Sequence, residues 1–337
     1  MTGSATSRAL SWPRRTPTRR SGDSSEGISC APLRRPVTEA VAPLNRTNRD
    51  GETREMRGID HVIVGTADLD AAAAGFARLG FNVSPKMVHP FGTANRLIMF
   101  GDSFIELLGI EDASRLGRLV VLRDFLRATG GGPWGLVFRA LDARAEWRRC
   151  AEEGLEPGAL QRDVERAVDM PDGTRRVARF SSFRLGGSAT PTYMEGFSQQ
   201  HVPEAVWIPE WQLHGNGARA MTAVTVATDN LDAFEDRYAG LFGSRCLSRS
   251  DSRLTAETPS GGIDAVEPAI LEQRFGGLAG GEAGPGPRIV GATLRVEEFS
   301  RLRQLLRDRD VPFRLSGADA LFVAPDRACG LALEFTP

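Results

Sequence analysis

Two ionisable residues in apolar strands are the first candidates for chemistry. His61 shares one face of a predicted strand at 59–66 with two isoleucines, and strict alternation would place Asp60 on the other face. Glu106 interrupts an otherwise apolar strand at 103–108. Each group is costly to bury unless it is paired, protonated or bound to a cation. Both are therefore candidate site residues, and the alternative is a pair that only satisfies its own hydrogen bonds in the core.

Three further segments carry candidates for substrate binding. His89 ends a strand, and the turn that leads to Asn95 offers backbone amides and a side-chain amide to a polar substrate, unless the turn is purely structural. Trp207 and Trp211 either cover an apolar cleft or seal two halves of the protein together. His214 lies in a loop, where a histidine is more often a surface or capping residue than a ligand.

Several classes of function lack support in the sequence. The formal net charge is -1 over 337 residues, which predicts no attraction to nucleic acid or to an acidic membrane. No Walker loop, dinucleotide glycine motif or Gly-x-Ser-x-Gly elbow occurs, and no apolar run is long enough to span a bilayer. The four scattered cysteines and the nearly lysine-free, arginine-rich composition predict a cytoplasmic bacterial protein.

The elements that must position these residues follow a repeated order. Residues 1–55 are rich in Arg, Ser, Thr and Pro, which predicts a disordered N-terminal extension. After it, a strand, a helix and three strands recur four times, so the predicted class is α+β with βαβββ modules. In the first module the helix begins at Asp68 and ends at Gly80, and strands are predicted at 81–88, 95–100 and 103–108. A Gly-rich loop at 276–286 is predicted to be mobile.

Five motifs resemble the vicinal oxygen chelate superfamily, and in particular its glyoxalase-like domains. They read GIDHVIV at 58–64, DLD at 68–70, HPFGTAN at 89–95, GDSFIELL at 101–108 and QHVPE at 200–204. The resemblance extends over nearly everything after Met56 and is strongest in the first two modules. It implies that paired modules curl their sheets around a shared cleft.

The resemblance also implies where a metal would bind. In metal-using members the ligands come from the first and last strands of paired modules, commonly two His with one Glu, or a Gln/Glu and His/Glu set. Here the last strands carry an acid each time: Glu106, Glu195, Asp264 and Glu334. His61 is the first-strand ligand of module one, whereas Gly135 takes that place in module two. The expected ligands are His61, Glu106 and Glu195, with His201 as a substitute, for Fe, Mn, Zn or Ni.

These expectations combine into one functional hypothesis and one rival. Residues 56–205 form a glyoxalase-like domain, 206–217 a linker, and 218–337 a degenerate second domain used for packing, dimerisation or closing a pocket. The chain is then a divalent-metal enzyme of isomerase, lyase or dioxygenase type, with Glu106 catalytic and with His89, Asn95 and Trp207 at a small oxygenated substrate. The rival, which Gly135 favours, is a metal-free binding or resistance protein that sequesters an aromatic or drug-like molecule in the cleft. A homodimer is compatible with either.

Overall fold

The computed structural model describes residues 57–186, 192–275, 286–317 and 319–337. The predicted disorder of residues 1–55 and nearly all of the predicted mobile loop at 276–286 lie outside these ranges. Within them the chain forms two eight-stranded mixed sheets and follows the α+β architecture of four βαβββ modules that the sequence predicts.

The first sheet contains modules one and two. Its strands are β1 (Ile59–Thr66), β2 (Met87–Val88), β3 (Thr93–Met99), β4 (Phe104–Ile110), β5 (Gly131–Arg139), β6 (Gln161–Asp169), β7 (Arg175–Arg184) and β8 (Met194–Gln200). Its helices are α1 (Leu69–Arg78), α3 (Ala143–Glu152) and, between the two modules, α2 (Val120–Thr129). The predicted strand at 81–88 is wrong except for its last two residues, and Pro85 in this segment has no N–H for a strand ladder.

The second sheet repeats this plan with modules three and four. Its strands are β9 (Ala218–Ala227), β10 (Leu247–Ser250), β11 (Arg253–Thr258), β12 (Gly261–Val266), β13 (Arg288–Val296), β14 (Arg314–Ser316), β15 (Ala320–Val323) and β16 (Ala332–Thr336). Its helices are α4 (Leu231–Phe242), α6 (Phe299–Asp308) and, between the modules, α5 (Pro268–Phe275).

Local signals set the ends of the first helix in each of the first two modules. Asp68 accepts hydrogen bonds from the first-turn N–H groups of α1, and Asp142 does the same for α3. Gly80 and Gly154 follow these helices with φ of 88° and 70°, a left-handed conformation that glycine adopts without strain. The helix limits predicted for the first module, at Asp68 and Gly80, are confirmed.

The strand order curls the first sheet around a hollow. The order is β2-β3-β4-β1-β5-β8-β7-β6, with β1 parallel to β4 and antiparallel to β5 at the centre. The edge strands β2 and β6 contact each other, which nearly closes the sheet into a barrel. The central strands therefore present one side of each strand to an enclosed space.

A buried ionic cluster joins the first sheet to α4 of the second half. Glu195 on β8 is fully buried and accepts hydrogen bonds from the hydroxyls of Tyr193 at 2.7 Å and Tyr238 at 2.8 Å, and from Arg237 Nε at 2.5 Å. Burial, and after it the charge of Glu195, raises the pKa of both tyrosines well above the ordinary value. Both hydroxyls stay protonated, so they remain hydrogen-bond donors to the carboxylate.

The variant Glu195→Gln is expected to lower the free energy of unfolding by about 3 kcal/mol, because Arg237 would lose its buried counter-charge. Urea denaturation at pH 7 measures the change. Glu297→Gln is the matched control, since Glu297 pairs with Arg219 on the exposed surface, and it should cause no measurable change. Equal stability of Glu195→Gln and wild type would contradict a structural role for this carboxylate.

Candidate functional site

The hollow of the first sheet holds a cavity of about 350 Å³. This volume falls in the range of small-molecule sites. The walls are mostly apolar and aromatic side chains from β1, β3, β4, β5, β7 and β8, and a small group of polar side chains converges at one part of the lining. That group contains His61, His89, Asn95, Glu106, Arg166 and Gln200.

A β-bulge sets the orientation of His61. Ile59 lies opposite Phe138 and His61 lies opposite Val137, so Asp60 is an extra residue in β1. The prediction that Asp60 is separated from His61 across the strand is wrong, because the bulge interrupts the alternation. The Asp60 carboxylate lies 2.7 Å from His61 Nδ1. Since a carboxylate only accepts, Nδ1 carries the hydrogen in this contact, and Nε2 is the other ring nitrogen.

Glu106 lies next to His61 in the cavity lining. Its Oε2 is 3.5 Å from His61 Nε2, and both residues are 8 % exposed. Parallel pairing of β1 with β4 produces this proximity, because Phe104 lies opposite His61 and Glu106 follows two residues later. The Phe104 ring stacks on the imidazole with centroids 4.5 Å apart. The His61 ring is thus held by a hydrogen bond at one edge and by an aromatic ring on one face.

Asn95 connects Glu106 to a buried arginine. Its Nδ2 donates to Glu106 Oε1 at 2.5 Å, and its Oδ1 accepts from Arg166 at 2.7 Å. These two partners determine the orientation of the side-chain amide, because nitrogen must face the carboxylate and oxygen the guanidinium. Asn95, predicted as a substrate-binding residue, therefore lies within the polar group of the cavity.

His89 also lines the cavity, as an uncharged group. Its Nδ1 lies 2.8 Å from the Thr93 hydroxyl, and its ring stacks on Phe91. Burial, and after it the charge of Arg166, lowers the pKa of His89 to about 3. At neutral pH this side chain contributes hydrogen-bonding capacity to the cavity but no charge.

The structure does not bring the other predicted site residues into this lining. Glu195 belongs to the buried cluster with Arg237, and His201 Nε2 bonds the Ser181 hydroxyl at 2.8 Å. Trp207 contacts Phe104 and lies against the Arg139 guanidinium, so it supports the cavity wall from behind. Glu195 and His201 therefore do not lie beside His61 in the cavity lining. Trp207 contacts Phe104, which does line the cavity.

Pairing across the sheet identifies the counterparts of His61 and Glu106 in module two. Glu106 lies opposite Ile63, and Ile63 follows His61 by two residues. In module two, Gly196 lies opposite Val137, and Val137 follows Gly135 by two residues. Gly135 and Gly196 are therefore the equivalent positions, and the sequence-based placement of Glu195 is one residue out of register.

The donor set does not fit the metal ligands expected for this superfamily. Gly135 and Gly196 have no side-chain donor, and a Cβ at position 135 would lie 2.8 Å from Met194 Cε and 3.0 Å from Ile63 Cδ1. In the described parts of the chain, no group of three or more His, Cys, Asp or Glu side chains is placed to hold a metal ion. His61 and Glu106 remain as two adjacent donors.

The equivalent acids of the second sheet are already paired. Asp264 lies opposite Thr225 and Glu334 opposite Thr293, in the same registers as Glu106 and Gly196 in the first sheet. Arg274 from α5 donates to both threonine hydroxyls, forms a short ion pair with Glu334 and lies 3.6 Å from Asp264 Oδ2. The protein's own guanidinium thus supplies the cation at this place.

Helix α5 also fills the hollow of the second sheet with apolar side chains. Leu271 and Phe275 are 3 % and 1 % exposed and pack with Val290 and Phe322. In the first sheet, the equivalent helix α2 contributes Leu122 and Phe125 to an apolar cluster of similar size beside the cavity. Both inter-module helices therefore pack apolar side chains against their sheet, and α5 in addition places Arg274 beside the acids of the second sheet.

Sequence reasoning did not predict Asp60, Arg166 or Gln200 as site residues. The contact between Asp60 and His61 depends on the bulge in β1, and no local sequence pattern of β1 indicates that bulge. Arg166 had a detectable signal: in β6 it alternates with Val164 and Val168, and arginine occupies a position where the pattern requires an apolar side chain. It is 6 % exposed.

His214 has a structural role that its loop position did not predict. Its Nδ1 accepts from the Asn82 N–H at 3.0 Å, and its Nε2–H donates to the Met99 carbonyl at 2.7 Å. Burial lowers the pKa of His214 to about 4, although the bond to Met99 opposes this change. The neutral ring therefore ties the segment after the first sheet to strand β3.

Comparison with known proteins agrees with this architecture. A hypothetical protein from Staphylococcus aureus superimposes with a TM-score of 0.56 at 11% identity, covering 84% of this chain and 100% of its own. A triple mutant of 4-hydroxymandelate synthase from Streptomyces coelicolor superimposes with a TM-score of 0.53 at 14% identity, covering 83% and 92%. The fold is that of the vicinal oxygen chelate superfamily.

The family itself follows from the sequence match. A family model described as "Glyoxalase-like domain" matches residues 59–242, which is more than half of the chain. The chain belongs to this glyoxalase-like domain family, as its motifs predicted. No curated protein matches it. Within the described ranges, no helix combines the length and apolar character needed to cross a membrane.

The buried neutral state of His214 predicts acid sensitivity. The unfolded residue takes up a proton near pH 6.5 and the folded one near pH 4, so the unfolded state binds more protons in between and stability falls as pH falls. Between pH 7 and pH 5, the free energy of unfolding should therefore fall by about 2 kcal/mol more for wild type than for His214→Gln. Urea denaturation at both pH values measures the difference. The control variant His201→Gln should retain the wild-type dependence, and equal slopes for wild type and His214→Gln would refute the assignment.

Proposed function

We propose that this protein is an enzyme of isomerase or lyase type that moves a proton on a small oxygenated molecule bound in the first-sheet cavity. One observation carries the proposal: His61 Nε2 and Glu106 Oε2 lie 3.5 Å apart and line the same cavity. Two groups able to exchange protons can therefore reach neighbouring atoms of one bound molecule.

Asp60 gives His61 the role of base. With Nδ1–H bonded to the Asp60 carboxylate, the Nε2 lone pair can take a proton from a carbon next to a carbonyl group, and the electron pair moves to the carbonyl oxygen as an enolate. The Asp60 charge stabilises the imidazolium that forms. An isomerisation ends when a proton returns to a different carbon, and an elimination ends when a group leaves the adjacent carbon. Glu106 is close enough to His61 Nε2 to take the proton from the imidazolium and to deliver it to the new carbon or to the leaving group, which restores both side chains.

The cavity walls support this chemistry. Phe104 covers one face of the His61 ring, and Trp134, Val137 and Met194 belong to an apolar cluster at the lining. An apolar lining excludes water and strengthens the interaction between the polar groups and a developing charge. The polar group therefore acts at one end of a largely hydrophobic substrate.

The predicted divalent metal would have His61 and Glu106 as its protein ligands. Glycine at positions 135 and 196 removes the donors that paired modules supply in metal-using members, so the proposed reaction uses no resident metal. A dioxygenase, included in the sequence-based hypothesis, is less compatible with two protein donors than an isomerase or lyase.

The same glycines favour a second candidate, a protein that binds a small molecule without converting it. In this case the His61–Glu106 pair would only orient the ligand by hydrogen bonds. The two candidates differ in one measurable property: the enzyme labilises a C–H bond of its ligand, and the binding protein does not.

Hydrogen exchange in D₂O tests proton transfer without knowledge of the full reaction. Small ketones, hydroxyketones and 2-oxo acids are incubated with the protein, and loss of the C–H signal next to the carbonyl is followed by proton NMR. The variant His61→Gln should slow exchange about 100-fold or more, and Glu106→Gln should slow it as well. His201→Gln, outside the cavity, should match wild type. The proposal is contradicted if His61→Gln exchanges hydrogen at the wild-type rate. It is also contradicted if the wild-type protein exchanges hydrogen with none of the compounds.

Metal analysis of protein purified without chelator is the second test. The expected content of Fe, Mn, Zn and Ni is well below one ion per chain, because the site offers two protein donors. Exchange activity should survive treatment with EDTA. A near-stoichiometric metal that is lost in both His61→Ala and Glu106→Gln would instead support the metalloenzyme predicted from the sequence.

A further inference from the structure

Arg166 is a buried cation at the cavity. It comes from β6, the last strand of the sheet order, and is 6 % exposed. Alternation along β6 directs its side chain to the same face as Val168, which is fully buried, and Arg166 belongs to the cavity lining. A guanidinium in such surroundings needs acceptors, because it has lost its water.

The hydrogen bonds of Arg166 leave most of its donors available. A guanidinium has five N–H donors. Across the described residues, Arg166 makes one hydrogen bond, to Asn95 Oδ1 at 2.7 Å, and its buried Nε has no partner. Asn95 is a neutral acceptor, so the remaining N–H groups can serve an acceptor that enters the cavity.

The charge of the cavity lining has the same sign as Arg166. Its carboxylate is Glu106, and its guanidiniums include Arg166 and Arg115, while Arg184, also in the lining, has a partner of its own. His89 adds no positive charge, since burial and the field of Arg166 keep its ring neutral. An anion is therefore the ligand charge that this lining favours.

We propose that the ligand of this cavity is a small organic acid whose carboxylate is held by Arg166. This inference rests on the proposed function, because it places the acid in the same cavity as His61. The planar guanidinium matches a carboxylate with two parallel hydrogen bonds. The apolar body of the acid packs against the cluster of Trp134, Val137 and Met194.

Asn95 determines where the acid group lies relative to the reacting groups. A single side-chain amide separates Arg166 from Glu106, with contacts of 2.7 Å and 2.5 Å on its two sides. A carboxylate on Arg166 therefore places the carbon atoms near the acid group beside the His61–Glu106 pair. Asn95 is a positioning residue for the arginine, and Arg166 is the residue that selects the ligand's charge.

Matched pairs of ligands test the choice of charge on the wild-type protein. The probes are formate, acetate, benzoate, phenylacetate and 3-phenylpropionate, each with its primary amide, and binding is measured by titration calorimetry. The apolar acids should bind at least 10-fold more tightly than their amides. If no acid of the panel binds more tightly than its amide, the inference is overturned, and no variant is needed for that result.

Variants locate the effect at Arg166. Arg166→Gln should weaken binding of the acids about 10- to 100-fold, the effect of losing charge-assisted hydrogen bonds, and leave binding of the amides unchanged. Arg166→Lys should restore part of the affinity, because it keeps the charge but not the planar fork. The control Arg179→Gln, on the exposed side of β7, should bind like wild type. Unchanged affinity of Arg166→Gln for the acids would overturn the assignment.

A variant of His61 separates this inference from the proposed reaction. His61→Gln should still prefer acids to amides while losing proton exchange. If acids bind through Arg166 and no exchange occurs, the ligand class stands and the enzyme proposal fails. If amides bind as well as acids while exchange depends on His61, the enzyme proposal stands and the ligand class fails.

Discussion

A carboxylate buried on the inner face of a curled sheet must be compensated, and the two halves of this protein do so differently. In the second half, guanidiniums from within the chain supply the counter-charge: Arg274 pairs with Glu334, and Arg253 pairs with Asp264 at 2.6 Å. In the first half, the close partners of Glu106 among the described residues are a side-chain amide and an imidazole, and Arg166 is reached through Asn95. The first half therefore keeps unsatisfied donors facing a cavity.

The inter-module helices account for this difference in charge compensation. Helix α5 inserts Arg274 together with Leu271 and Phe275 against the second sheet. Among the described contacts, helix α2 makes no equivalent arginine contact, and it packs beside the first cavity through Leu122 and Phe125. The ionic cluster of Glu195 with Arg237 and two tyrosines joins the two halves.

Loss of donors in module two changes the chemistry that the shared fold can support. Gly135 and Gly196 occupy the positions equivalent to His61 and Glu106, and Ile63 and Met194 side chains take the space next to Gly135. What remains is an imidazole with a defined tautomer, a carboxylate and a buried guanidinium in an apolar cavity. This combination suits proton transfer on an organic acid better than chemistry that depends on three or four metal ligands.

The sequence by itself determined the order of elements and the fold class and predicted His61 and Glu106 as site residues, because alternation, helix caps and glycine stops act over a few residues. The sequence-based register was nevertheless wrong by one residue in β8, because it placed Glu195 at the position that Gly196 occupies. A shift of one residue in a strand exchanges the two faces of the strand. Only the tertiary structure decided that a bulge brings Asp60 to His61, that Arg166 reaches Asn95 from 71 residues away, and that Arg274 fills the second hollow. These contacts depend on which distant strands pair and on how tightly the sheet curls, and neither is encoded in any local pattern.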